Sequence, residues 1–487
     1  MSDVLAQAVF GLYLFGVLLI GIYASRYTRH TPTDFYLANR SVGTVVLGLT
    51  LAATVLSAFT VFGIGAGTSQ AGLGAFSFLA IAAVLYTLFF ATVGTTLFEV
   101  GKEMEVVTPS EYIRERFDSP ALGVLYLTVT GVFMLALITG QLIGGGVALD
   151  ILLGIPYAWA VLLMAVFMIV YIHIAGYRGV IWSDTVQSAV LFVVLGAVTL
   201  YVLVTLDSTS IAESAATETP GLFETVGPVG TWQPLFVMTA ALAFAFGVPG
   251  YPHTIQRYFS AGSESIMRKS GLLFAVVAIP IYFFGAVLGV WSVGIIPSPE
   301  NVDHVIPLLV EELMHPVVFG IVMAGATAAI MSTADSVALT FSSMLSRDLY
   351  REYVVPETTG SKEVRVTQLF LIASIVVAVG VAMLQPAGIF PLIEFAVVGF
   401  ATTTAPVFLG AYWKGASVTG GAASLILGPG ITILLFLGIL PPELTAGMHY
   451  GFVGVVVSYL VFVGVSLVTS SPAEATVDAH VRPFWHR

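Results

Sequence analysis

The sequence predicts an all-α polytopic membrane protein of about thirteen transmembrane helices, ten of them forming two inverted five-helix repeats. Three observations predict it. The 487 residues are 57% hydrophobic and only 9% charged, whereas a soluble domain carries roughly 25% charged residues. Thirteen apolar runs are each long enough to cross a bilayer as a helix, which takes about 20 residues. Two of those runs are interrupted, at matching positions in the two halves of the chain.

The runs lie near 4–25, 41–69, 73–99, 120–150, 156–175, 180–206, 233–257, 267–295, 316–345, 365–385, 389–412, 417–439 and 447–470. The first has no basic flank before it and no small-residue cleavage site after it, so it reads as a retained span. The connections are short, with the longest at 207–232, and the apolar region 305–345 has room for a short extra helix. Cys is absent, which excludes disulfides and thiolate metal sites. A net charge of −11 with no basic patch gives no footprint for nucleic acid.

Basic residues are enriched in cytoplasmic loops, and here all 17 Lys and Arg fall in alternate connections. Arg26, Arg29 and Arg40 share the first; Lys102, Arg114 and Arg116 share the third. Arg178 follows, then Arg257, Arg268 and Lys269, then Arg347, Arg351, Lys362 and Arg365, then Lys414, and Arg482 and Arg487 in the tail. The opposite loops carry acids, among them Glu213, Glu218, Glu224, Glu300, Asp303 and Glu443. This parity predicts an outside N-terminus and a cytoplasmic C-terminus in the cell membrane.

The second run reads Leu49 to Thr60 and then meets Gly63, Gly65 and Gly67; the seventh contains Phe246-Gly247-Val248-Pro249-Gly250-Tyr251-Pro252-His253. Proline removes an amide donor and clashes with the preceding turn. Broken backbone at membrane depth survives where protein encloses it around a cavity. Interrupted helices at corresponding positions mark an inverted-repeat transporter. The predicted layout is an extra helix and loop (1–40), repeat one (41–206), an external loop (207–232), repeat two (233–412), two further helices (413–470) and a cytoplasmic tail (471–487).

The most informative polar stretch is Ala329-Ile330-Met331-Ser332-Thr333-Ala334-Asp335-Ser336, inside the apolar run Val317–Leu345. On a helix Ala329, Ser332, Thr333 and Ser336 share one face, with Asp335 at its border. Hydroxyls beside a carboxylate suit a small hard cation, although Ser and Thr also back-bond their own helix. Asp335 and Asp184 are intramembrane carboxylates, and such charges mark ion or proton paths. Asp335 is close enough to Arg347 to reach inner water, and Asp184 also fits an N-terminal helix carboxylate favoured by the macrodipole. The first break frees carbonyls, with Ala53 and Leu56 as candidate oxygen ligands. No Lys or Arg is expected near the midplane, so a substrate carboxylate would rest on helix dipoles, hydroxyls or the bound cation. Gln141 meets substrate or bonds across helices. Phe59, Trp182 and Tyr251 are candidate cavity walls, His253 a brace of the second break, and Glu394 and Asp150 hydrated residues near outer helix ends. No nucleotide-binding loop, catalytic pattern or transition-metal cluster is present, so an enzyme is excluded and transport energy comes from an ion or solute gradient.

Several stretches together resemble the sodium/solute symporters, the family of proline, pantothenate, monocarboxylate and sodium/glucose transporters. They are Thr33 to Ser41, Thr108-Pro109-Ser110-Glu111-Tyr112, Gly176-Tyr177-Arg178 through Gln187, Pro252-His253 and Ala329 through Tyr350. The resemblance implies a leucine-transporter-type 5+5 inverted-repeat core with one helix before it and two after. It implies a main Na+ site from Ala53, Leu56, Ala329, Ser332 and Thr333, and a possible second cation site from Asp184, Asp335 and Ser336. Val55 stands where some proline carriers have an acid, and Phe59 where the proline type has Trp. The expected function is Na+-coupled symport into the cell of a small organic solute, a carboxylate or amino-acid-like compound, by alternating access. Phe59, Gln141 and Tyr251 are the substrate candidates; Na+ is the coupling ion, with no cofactor, no nucleic acid and no obligatory protein partner. Alternatives are proton coupling through Asp335 and Asp184, or a membrane solute sensor, against which the absence of a signalling domain before Arg487 counts; a channel fits two broken helices less well than alternating access does.

Overall fold

Helices that are apolar on every side must bury their flanks in lipid or in one another, and all regular structure among the described residues is helical. The computed structural model describes residues 2–27, 32–228, 230–357, 360–473 and 480–481. Arg29, Arg482 and Arg487 lie outside the described residues.

The chain starts with α1 (Ser2–Ser25), then α2 (Thr44–Ala53) and α3 (Ile64–Ala71), which are the halves of one broken helix. Next come α4 (Gly74–Phe89), continued through a wide turn to Glu103, the short α5 (Pro109–Phe117) and α6 (Pro120–Leu153). The 49-residue α7 (Tyr157–Thr205) would measure about 74 Å if straight, but Gly176 leaves the helix at φ 57°. Its two arms therefore run as separate helices. α8 (Pro234–Gly250) and α9 (Pro252–Ser260) meet at 50°. The remainder is α10 (Glu264–Ser292), α11 (Val305–Leu313), α12 (Pro316–Met344), α13 (Gly360–Ala382), α14 (Ile389–Thr402), α15 (Val418–Phe436) and α16 (Tyr450–Val468). Among the described residues ten helices are long and apolar enough to cross a membrane, eleven if α8 and α9 form one span. The region after 305 does hold a short helix, α11, and the 207–232 connection contains a helix of its own, Ser208–Glu218.

Burial separates centre from rim. The span containing α12 buries 83% of its most apolar stretch and the one containing α14 buries 89%, against 22% for α1. Small residues permit the close approach that lipid-embedded helices use in place of a hydrophobic driving force. A Cβ at Gly289 of α10 would come within 2.4 Å of the Gly65 carbonyl and 2.2 Å of Thr68 Oγ1 on α3. There Thr68 donates to its own helix at Ile64 O (2.8 Å) and reaches Ala286 O across the interface (3.3 Å).

The end of the bundle opposite the 207–232 loop is tied by ions. Arg347 bridges Glu111 (3.1 Å) and Glu363 (2.8 Å), and Arg114 meets Glu352 (2.9 Å). Asp348 accepts from Thr108 (2.7 Å) and Ser110, and Arg178 pairs with buried Asp34 (2.7 Å). Burial alone would raise Glu111, but Arg347 and the Val107 amide outweigh it and hold that carboxyl below its ordinary range. Arginines read from the sequence as loop charges are partly internal. Arg116 is buried and donates to Gly410 O (2.6 Å), while Arg40 donates to Val106 O (2.7 Å) and Phe259 O (3.0 Å). Helix-end carbonyls left without intrahelical partners give a guanidinium somewhere to go.

The α3–α10 contact makes a direct prediction. Gly289→Ala forces backbone apart, and overpacking of this kind costs about 1–3 kcal/mol. Gly464→Ala, where nothing lies within 4 Å, serves as the control. The first substitution lowers the melting temperature of the purified protein and the second leaves it unchanged or higher; equal melting temperatures would show that the α3–α10 approach is not tight.

Candidate functional site

The first break must satisfy backbone groups that have left a helix inside a membrane, and each partner is a residue of the surrounding helices or of the break itself. α2 ends at Ala53, and helical backbone resumes at Phe59 in a wide turn leading into α3. The Val55 and Leu56 amides turn back to Ala52 O, both at 3.0 Å. The Ala58 amide donates to Gln141 Oε1 of α6 at 2.9 Å, and the Phe59 amide to Ser57 Oγ at 3.2 Å. Thr60 Oγ1 covers the Val55 carbonyl. The Ala53 and Leu56 carbonyls both point at α12. There Thr333 Oγ1 donates to them at 3.0 and 3.2 Å. The adjacent Ser332 Oγ donates one turn back to Ala329 O at 2.9 Å. Ala53, Leu56, Ala329, Ser332 and Thr333 are all buried. The donor set is thus three carbonyls and two hydroxyls, all neutral oxygens, a chemistry suited to a hard monovalent cation that brings the only charge.

Beneath this lies a charged cluster that sequence reasoning missed in part. Arg257 of α9, read as a loop cation, is buried. Its Nη2 donates to Asp184 Oδ2 (2.9 Å) and to Ser336 Oγ (2.6 Å), Nε to Thr50 Oγ1 (3.0 Å) and Nη1 to His253 O (3.0 Å). Thr50 also donates to Asp184 Oδ2 at 2.6 Å. The reading of Arg257 as a loop cation is therefore corrected. A buried guanidinium reaches Asp184 because the bend after Pro249 swings α9 beneath the first broken helix. The signal was available: Arg257 sits seven residues after Gly250, within two turns of the break. Asp335, expected near inner water, is buried as well, and Oδ1 of Asp184 and of Asp335 have no hydrogen-bond partner among the described residues.

Between the two breaks lies a cavity of about 20 Å³. Thr54, Val55, Ser57 and Phe59 line it from the first break, and Phe244, Val248 and Tyr251 from the second broken helix. Leu79 and Tyr86 of α4, Leu137 of α6, Tyr282 of α10 and Ile393 and Val397 of α14 close it. Phe390 lies against Phe59 (4.9 Å between ring centres) and separates this cavity from a larger one of about 370 Å³ near Trp232 and Asp303. Phe59 and Tyr251 thus stand where the sequence expected cavity walls. Gln141, on the same helix as Leu137, does not line the cavity; it is bonded to the break, with its Nε2 unpartnered among the described residues.

Three expectations are corrected. Trp182 lies beside Tyr23 and Tyr27 (6.2 and 5.8 Å) in an apolar surface groove, far from the cavity, because its side of α7 faces α1. His253 braces nothing through its ring: both nitrogens lack hydrogen-bond partners among the described residues, and the ring stacks on Tyr251 at 4.9 Å. Glu394 is paired, with His449 Nε2 at 2.6 Å.

Comparison with known proteins gives the family and the fold. The model of the sodium:solute symporter family matches residues 35–428. The chain is 29% identical over 442 residues to the sodium/pantothenate symporter of Haemophilus influenzae, covering 89% of this chain and 90% of that one. It is 24% identical over 493 residues to that organism's sodium/proline symporter, with coverage of 96% and 95%. Among solved structures, a substrate-bound outward-open Na+-coupled sialic acid symporter superposes with TM-score 0.79 at 18% identity, covering 96% of this chain and 98% of that one. A nucleobase-cation-symport-1 family transporter in a closed conformation gives 0.55 at 15% identity, with coverage of 93% and 98%. These likenesses establish the fold as leucine-transporter-type.

The Arg257–Asp184 pair is open to a double-mutant test. Removing one partner of a buried ion pair leaves a charge uncompensated and costs about 3–5 kcal/mol, whereas removing both is far milder. Arg257→Gln and Asp184→Asn each lower the melting temperature, and the double variant recovers most of the loss. Strictly additive losses would show that the two side chains do not act as a pair.

Proposed function

We propose, on the premise that this chain belongs to the sodium:solute symporter family, that it couples inward Na+ movement to uptake of a small organic solute by alternating access. The observation that carries the proposal is the contact of Thr333 Oγ1 with the carbonyls of Ala53 and Leu56. It joins α12 to the first broken helix through oxygens alone. Na+ is held by Ala53, Leu56, Ala329, Ser332 and Thr333, with the hydroxyl protons rotating away so that oxygen lone pairs face the ion. The solute lies in the neighbouring cavity against Phe59 and Tyr251. Ion and solute then share the segment Thr54–Ser57, so each favours the same arrangement of the break.

The membrane arrangement that goes with this function has thirteen crossings. Eleven are met by length and composition with α8–α9 taken as one. Dividing α7 at Gly176 and counting α2–α3 as a broken span supplies the other two. Residues 41–206 and 233–412 are the inverted repeats, with the N-terminus outside and the C-terminus in the cytoplasm. The end carrying Arg347, Arg114 and Arg178 is then the cytoplasmic one.

A second coupling cation is favoured by one observation. Asp184 and Asp335 are both buried, and Arg257 offers one positive charge, bonded to Asp184 and Ser336. The remaining carboxylate needs a proton or a cation to be stable there. Asp184, Asp335 and Ser336 form that site, with Arg257 as its fixed cation.

Thr333→Ala and Ser332→Ala each remove one ligand oxygen. The expected outcome in proteoliposomes is a rise of about tenfold or more in the Na+ concentration for half-maximal uptake, as ~1.4 kcal/mol per lost contact gives, with insertion unchanged. An unaltered Na+ dependence rejects the assignment. Uptake driven by a pH gradient without Na+ would instead make the coupling ion a proton.

A further inference from the structure

A groove of about 480 Å³ lies on the outside of the bundle, where the last turns of α1 meet α2 and α7. Its walls are Leu19, Ile20 and Tyr23 of α1, Val46 of α2, and Trp182 and Val186 of α7. Thr185 also lines it, but its hydroxyl donates to Ile181 O of its own helix (2.8 Å). Leu19, Tyr23 and Val186 are exposed, so the groove faces away from the protein. α1 ends at Ser25, just past the groove, and there three rings gather. Tyr23, Tyr27 and Trp182 have ring centres 5.3–6.2 Å apart. Tyr and Trp collect at the membrane boundary because each has an apolar body and a polar edge. The Tyr23 and Tyr27 hydroxyls bond to each other at 2.9 Å. In such a pair one phenol proton is used and the other is free to donate. Arg26 lies within electrostatic reach of Tyr27. It is exposed, and no carboxylate of the described residues pairs with it. Asp34, an acid a few residues on, is already held by Arg178 (2.7 Å).

We propose that this groove binds one anionic phospholipid, with an acyl chain along α1, α2 and α7 and the phosphate on Arg26 and the free phenol hydroxyl. A phosphate diester brings one negative charge and oxygens that only accept, which matches an unpaired guanidinium beside a spare O–H. A zwitterionic headgroup adds an ammonium next to Arg26, where no carboxylate is left to receive it. Charge therefore selects the anionic lipid, and the apolar wall beyond the three rings takes its chain. The lipid also has a structural consequence. The floor of the groove is the seam between α2 and α7. Val46 lies one turn before Thr50, whose hydroxyl donates to Asp184 across that seam at 2.6 Å. A chain in the groove braces from outside the contact that Thr50 and Asp184 make from inside. It does so on α2, the first half of the broken helix, whatever solute or ion the protein carries.

Trp182 is a built-in reporter, because bromine on an acyl chain quenches an indole only at close range. Full-length protein is reconstituted in phosphatidylcholine nanodiscs containing rising fractions of phosphatidylglycerol, or of phosphatidylcholine, brominated on the acyl chains. Subtracting the emission of Trp182→Phe isolates Trp182 among the six tryptophans. The expected result is half-maximal quenching at an about fivefold lower mole fraction of the brominated phosphatidylglycerol, as one basic residue near an anionic lipid gives. Arg26→Gln removes that preference while leaving quenching by brominated phosphatidylcholine, and the melting temperature in phosphatidylcholine alone, unchanged. Tyr23→Phe combined with Tyr27→Phe keeps both rings and reduces the preference through loss of the hydroxyls. Equal quenching by the two lipids shows a groove filled by bulk lipid without selection, and overturns the proposal. A preference that survives Arg26→Gln overturns it too, since the phosphate is then held elsewhere. So does the absence of Trp182 quenching by either lipid, which marks the groove as covered by protein.

Discussion

Five residues of unwound backbone between Ala53 and Phe59 dictate the organisation of the centre. Inside a bilayer every amide and carbonyl released from a helix needs a partner from the protein, because lipid offers none. Here the Val55 and Leu56 amides are met by Ala52 O, the Phe59 amide by Ser57 Oγ and the Ala58 amide by Gln141 Oε1 of α6. The carbonyls of Ala53 and Leu56 are met only by Thr333 on a different helix. That asymmetry has a physical origin. An amide has one hydrogen and is satisfied once, while a carbonyl has two lone pairs and keeps capacity after accepting one bond. Carbonyls of the break with spare capacity in a dry place attract cations. The deep burial of α12 follows, since it must press its Ser332/Thr333 face against the break along its length.

Charge accounting at the next level down obeys the same logic with stronger forces. Arg257 is enclosed by Asp184, Ser336, Thr50 and the His253 carbonyl, a shell in which Nε and both terminal nitrogens find acceptors. Such a pair contributes little net stability, because desolvation offsets attraction, but it fixes geometry through the large penalty for separating it. It links α9, α7, α12 and α2, so it pins the lower half of the second broken helix beneath the first. The two breaks are held in register by one ion pair.

Much of the fold was legible in composition and hydropathy, because lipid makes apolar length an obligation. The breaks were legible for the same reason: Pro249, Pro252 and the glycines after Thr60 violate the rule for a continuous span, and a violation needs a cause. The face of Ala329, Ser332 and Thr333 was readable from helical spacing, and the resemblance to known symporters supplied its partner on the broken helix. What escaped was how far long side chains reach. Arg257, Arg116 and Arg40 sit near span ends in sequence, where a charge is cheap, yet their guanidinium groups enter the protein to meet carbonyls and carboxylates that only the folded chain brings near. His253 and Trp182 were misplaced for a related reason. Periodicity assigns a residue to a helix, but which neighbour that helix turns towards depends on the bend after Pro249 and on the packing of α7 against α1.

On the symport proposal, coupling has to reside where α12 meets the break. A ligand shifts a conformational equilibrium only by its difference in affinity between the states. Each half of the ion cage lies on a separate body: two carbonyls on the broken helix, one carbonyl and two hydroxyls on α12. Displacing α12 from the break halves the ligand set, so the ion binds one arrangement and barely the other. The solute cavity, by contrast, is closed on one side by Phe390 against Phe59, an aromatic contact worth about 0.5–1.5 kcal/mol beyond its buried area. The opposite end is held by Arg347, Glu111, Glu363 and Asp348 with their partners, where several charges must part together. An energy difference of that kind makes the aromatic side the easier one to open from this conformation. A bound cation drawing α12 onto the break stabilises the inner closure further, since α12 continues directly into Arg347 and Asp348. Ion binding at Thr333 and closure at Arg347 are then two consequences of one helix being seated, and the rigidity of α12 between them carries the coupling.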